Sequence, residues 1–145
     1  MPFRFSLAAV LRVRESLEEN EERALQKIQL AMARVVHQIE ELTSQIKKLH
    51  DAREETMQQP ISASHLHLLV QQAQGAGERK KALYNDLHAL EQLRDQQIIR
   101  YQTAHRNRET LTEMSDKQRD AYEQDQLRTQ QRALDDIFIA RHHQN

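Results

Sequence analysis

The sequence predicts an all-α fold, a long antiparallel two-helix coiled coil (a helical hairpin) whose second helix is the longer, and three observations carry that prediction. Leu25, Ile28, Met32, Val35, Ile39, Leu42, Ile46 and Leu49 follow one another at alternating spacings of three and four residues. A mean step of 3.5 residues keeps one narrow apolar line facing a partner helix, where a strand would alternate every second residue and a globular helix would carry a broader face. A second line keeps the same spacing through Leu66, Leu69, Ala73, Ala76, Lys80, Leu83, Leu87, Leu90, Arg94, Gln97, Tyr101, Ala104, Arg108 and Leu111. Between the two lines Pro60, followed by Ser62 and Ser64, marks the turn, because proline ends a helix and serine caps the next one.

The elements follow in chain order. Residues 1–5 read as a short arm, with Ser6 as N-cap and Phe5 placed to pack on Val10 as a hydrophobic staple. The first helix is expected over residues 7–57. Its opening turns carry two adjacent apolar lines, Val10, Leu17, Ala24 and Ala31 on one and Leu7, Leu11 and Leu25 on the other, while Glu18 and Glu21 break the strict pattern. The turn is expected at 58–63 and the second helix at 64–139, all within a single coiled-coil hairpin spanning 1–145. With the turn centred near residue 60, Leu83, Leu87 and Leu90 fall opposite Ile39, Val35 and Met32, so the purest stretches of the two lines coincide.

Gly75 and Gly77 sit inside the second helix, where each costs up to about 1 kcal/mol relative to alanine. They predict either a local bend or fraying near the hairpin tip, or a close approach of the two helices or of a partner. At 1.5 Å per residue the two helices would measure roughly 75 Å and 115 Å, so pairing exhausts the first near residue 114 and leaves the chain from Ser115 onward without an intramolecular partner. That overhang carries Leu127, Ala133, Leu134, Ile137, Phe138 and Ala140. Apolar side chains at a free helix end predict a protein-binding surface.

Composition narrows the function classes. Only 38% of residues are apolar and 4% aromatic, with two glycines and two prolines in 145 residues, which suits long helices and not a compact enzyme core. The formal net charge is −1 with both signs interspersed, so no long-range field draws the chain to nucleic acid or an acidic membrane. There is no cysteine to form a disulfide or a thiolate site, which is compatible with a reducing compartment. The N-terminus lacks the apolar core of a signal peptide and no run reaches the ~18 apolar residues of a membrane span, so a cytoplasmic protein without direct membrane insertion is expected.

Eight histidines invite a metal reading, but the tightest groups, His65 with His67 and His142 with His143, are one or two residues apart and diverge on a helix. Acidic pairs such as Glu54–Glu55 and Asp135–Asp136 have no cleft to shift their pKa values. No cofactor, metal site or catalytic residue is expected, and no nucleic-acid module is present.

The two ends carry motifs that resemble the FliJ family of the bacterial flagellar type III export apparatus. At the front stand Phe3-Arg4-Phe5-x-Leu7-x-x-Val10-Leu11-x-x-Arg14, similar to the family's Phe-x-Leu-x-x-Val-Leu-x-x-Arg opening, and at the back Gln131-x-x-Leu134-Asp135-Asp136-Ile137, similar to its close. The resemblance implies a non-enzymatic stalk, akin to the central shaft of rotary ATP synthases. Such a stalk inserts into the hexamer of the export ATPase, promotes its assembly and activity, touches the cytoplasmic domain of the export gate, handles export chaperones and is recruited to the cytoplasmic face of the inner membrane at the flagellar base, in support of motility and chemotaxis. Because a shaft inserts its paired ends, Leu7, Val10, Leu11, Arg14, Leu134, Asp135, Ile137, Phe138 and Arg141 are the expected ATPase contacts.

Family members can carry aromatic residues near the turn on the gate-binding surface. This chain has none between Phe5 and Tyr84, so the gate contact would fall to Leu49, Ala73 and Ala76. Three other readings stay open: a holdase-like chaperone, the equivalent stalk of a virulence type III secretion system, and a plain oligomeric spacer.

Overall fold

A computed structural model describes residues 2–60 and 62–143; Met1, Gln144, Asn145 and Ile61, the last inside the expected turn, lie outside the described residues. Two helices make up the fold, α1 at Ala8–Met57 and α2 at Ala63–His143, of 50 and 81 residues. No strand occurs among the described residues. The second helix is the longer, as the spacing predicts, and it continues four residues beyond the expected end.

The start of α1 differs from the expectation by one residue. The Ala8 N–H donates to the Phe5 carbonyl at 3.1 Å and the Leu11 N–H to the Leu7 carbonyl at 2.9 Å, so Leu7 and not Ser6 takes the cap position. At the other end the Gln58 and Gln59 N–H groups donate to the carbonyls of Glu55 and Thr56 at 3.3 and 3.2 Å, a tightened last turn that Pro60 cannot prolong. Of the two serines beyond it, Ser62 is the cap: its Oγ accepts from the His65 N–H at 3.3 Å and its carbonyl from the Leu66 N–H at 3.4 Å.

The chain divides into two compact units, one of Glu22–Arg100 around the turn and one of Met1–Glu21 with Tyr101–Asn145 at the termini. In the turn unit the two apolar lines face each other. Ile39, Leu69 and Ala76 are its buried apolar residues, and Leu25, Ile28, Met32, Val35, Leu42, Ile46 and Leu49 are half-buried, as are Leu83, Leu87 and Leu90 across from them. Half-burial is what two helices alone achieve, since each leaves its outer side in water. Gln97 occupies a line position and is buried, yet no buried side-chain nitrogen or oxygen among the described residues lacks a hydrogen-bond partner. Lys80, on the same line, turns its ammonium over the Tyr84 ring at 6.0 Å from the centroid.

α2 runs helical through Gly75 and Gly77, neither has a positive φ, and a Cβ at either would meet nothing within 4 Å. The small residue that permits close approach is the one between them: Ala76 is 1% exposed, the most buried side chain of the core.

Candidate docking end in the terminal unit

In the terminal unit the pairing line of α1 runs Leu7, Leu11, Arg14, Glu18 and Glu21, again at spacings of four and three, and meets Tyr101, Ala104, Arg108, Leu111 and Ser115 of α2; all are half-buried. The charged residues that interrupt the apolar pattern are therefore inside the line. Arg108 Nε donates to Glu18 Oε2 at 2.6 Å, Arg108 Nη1 donates to Thr112 Oγ1 at 3.3 Å, and His105 Nδ1 lies 3.3 Å from both Glu18 Oε1 and Arg108 Nη2. The Arg108 hydrogen bond holds the Glu18 carboxyl below the usual glutamate range, against a smaller upward push from burial and with help from His105. The same bond raises Arg108 above its ordinary value.

Beyond this cluster the N-terminal arm lies along α2. The Phe3 ring packs against Tyr122 with centroids 5.7 Å apart and planes tilted by 44°, and the Arg119 guanidinium stands 5.7 Å from the Phe3 centroid. Pro2, Phe3, Arg4, Gln118 and Tyr122 line one cleft. Intramolecular cover thus reaches Tyr122, further than the expected end near Ser115, because the arm ahead of α1 continues the pairing through Phe3.

Past Tyr122 every described residue of α2, 123–143, is exposed. Leu127, Leu134 and Phe138 are 65%, 66% and 70% exposed, Ile137 and Ile139 about half. Apart from Ile139, these side chains do not continue the pairing line. Seven-residue steps from Leu111 and Ser115 lead to Asp125, Thr129, Arg132 and Asp136 before reaching Ile139. Leu127, Leu134 and Arg141 form a separate line two residues further on, about 200° round the helix at 3.6 residues per turn. Ile137 and Phe138 flank it, and the Phe138 ring stacks on His142 with planes 7° apart. Between residues 133 and 140 apolar side chains point to most sides of the helix, with Asp135 and Asp136 as the exceptions.

The nine expected ATPase contacts therefore separate. Leu134, Asp135, Ile137, Phe138 and Arg141 are exposed on the uncovered end, and Val10 is exposed at 42% with Val13 and Leu17 beside it. Leu7, Leu11 and Arg14 are half-buried, because their spacing turns them toward α2. In the turn unit the expected gate residue Ala76 is buried, at 1% exposure. Leu49 and Ala73 are half-buried, and the groove that includes Leu49 and Ala76 is bordered by Gln45, Lys48, Gln72 and Arg79.

Sequence reading missed the packing of Phe3 on Tyr122, the Glu18–Arg108 contact and the exposure of Val13. The spacing of Glu18 from Leu11 and Leu25, seven residues each way, was the signal for the second. Among the described residues no three His, Asp or Glu side chains converge on a metal-sized site, and no helix is long and apolar enough to cross a membrane. Comparison with protein families gives a match over residues 3–145 to the family described as Flagellar FliJ protein. No curated protein and no solved structure matches the chain.

Proposed function

Because the chain belongs to the FliJ family and is a component of the flagellar export apparatus, we propose that it is the stalk of that apparatus, holding the export ATPase hexamer by the uncovered end of α2. The observation that carries this reading is the exposure of residues 123–143 together with the spread of Leu134, Ile137, Phe138, Ile139 and Ala140 around the helix. A helix apolar on most sides loses water contact only when protein surrounds it. A ring or collar supplies such surroundings, and a single flat surface does not. Leu127, Leu134, Ile137 and Phe138 fill the apolar lining, Asp135 and Arg141 make its polar contacts, and Val10 adds to the surface from α1.

The export gate's cytoplasmic domain and the export chaperones are assigned to the turn unit, where Lys48, Gln72 and Arg79 beside Leu49 offer a polar rim. Binding at these partners recruits the protein to the cytoplasmic face of the membrane. The test is the ATP hydrolysis rate of the cognate export ATPase with the full chain and with the last fifteen residues removed. Stimulation by the full chain that is lost on truncation is the expected result. An unchanged rate under conditions where the hexamer assembles would overturn the stalk reading and favour a holdase that grips clients without an ATPase.

A further inference from the structure

The Glu18–Arg108 cluster has a consequence for the pairing itself, independent of any partner. Apolar line residues are poor at choosing among registers, because a leucine opposite a leucine is satisfied again after a slip of one heptad. In the terminal unit Leu11, Ala104 and Leu111 are of this kind. Arg108 is not: its Nε, Nη1 and Nη2 face Glu18 Oε2, Thr112 Oγ1 and His105 Nδ1, and both Glu18 oxygens are engaged in turn, Oε1 with His105 at 3.3 Å. Their side chains are only 17% and 24% exposed. A slip of seven residues in one direction sets Glu18 opposite Tyr101 and Arg108 opposite Leu11; in the other it sets Glu18 opposite Ser115. Each leaves a half-buried charge without its counter-charge, which penalises the slipped state far more than it favours the native one.

We infer that Glu18 and Arg108, completed by His105 and Thr112, are the register lock of the terminal pairing, and that they thereby set how much of α2 stands free. In the native register Phe3 reaches Tyr122, and the free segment begins at residue 123. A slip of one heptad would move that boundary by seven residues, about 10 Å along the helix. The lock adds less stability than specificity: an apolar pair of similar volume would bury as much surface without the desolvation cost.

The chain has no cysteine, so spin labels can be placed at two exposed positions of this unit, Ser16→Cys and Lys117→Cys, and their separation measured by pulsed electron resonance. One narrow distance is expected for the native pair. With Glu18→Leu and Arg108→Leu together, melting at an equal or higher temperature and a second distance population, displaced by about 10 Å along the axis, are expected. The charge-swapped pair, Glu18→Arg with Arg108→Glu, is expected to return the single distance. An unchanged single distance in the leucine pair overturns the lock, and so does a swapped pair that still populates two registers.

Discussion

Glu18 is the residue whose chemistry reaches furthest. With its carboxyl held below the ordinary range by Arg108, it favours the folded state at every pH above the value of an unfolded glutamate, about 4.3. That contribution drains away as pH falls through this value toward the lower folded one. Arg108, raised, stays protonated throughout the same window, so the sign is set by the carboxylate. Glu18→Gln is expected to cost up to about 1 kcal/mol near neutral pH, the loss of a part-exposed ion pair, and to flatten the acid limb of stability. Urea unfolding followed by circular dichroism from pH 7 to pH 3 reads both; parallel acid limbs in variant and parent would contradict the assignment. Ala76 works at the same scale by the absence of bulk, since its small side chain is almost completely buried where the two helices of the turn unit meet.

At the scale of the element, α2 carries three different faces along one continuous helix: an apolar line through the turn unit, a mixed line to Tyr122, and a rotated apolar line beyond. The glycines are its points of lowest helix propensity. A Cβ at Gly75 or Gly77 meets open space and the backbone is already helical, so alanine restricts the unfolded chain without straining the folded one. Gly75→Ala and Gly77→Ala should each raise stability by about 0.5–1 kcal/mol in denaturant titration. A loss in either case would mean that the extra freedom of glycine is used there. α1 has its own division: Val10, Val13 and Leu17 are exposed, while Leu7 and Leu11, on the neighbouring line, hold the pairing.

Across the whole molecule the two units differ in what holds them. The turn unit is closed by Ile39, Leu69, Ala76 and the leucines around them, the terminal unit by a line that includes Arg14, Glu18, Glu21 and Arg108. Apolar burial at roughly 25 cal/mol per Å² outweighs part-exposed ion pairs worth at most about 1 kcal/mol each. Amide hydrogen exchange is therefore expected to be slowest around Ile39 and Leu87, intermediate over 101–122 and fastest over 123–143; equal protection in both units would refute this ranking. Sequence alone determined the helical class, the greater length of α2, the turn at Pro60 and every position on the α2 pairing line as far as Leu111, because a three-four repeat between helix breakers has few other solutions. It left open which of two adjacent lines at the start of α1 turns inward, since Val10, Leu17 and Ala24 keep as good a heptad as Leu7, Arg14 and Glu21. Only the tertiary structure decided that. The choice depends on Glu18 finding Arg108 and Phe3 finding Tyr122, contacts between residues about ninety or more positions apart that no local spacing records.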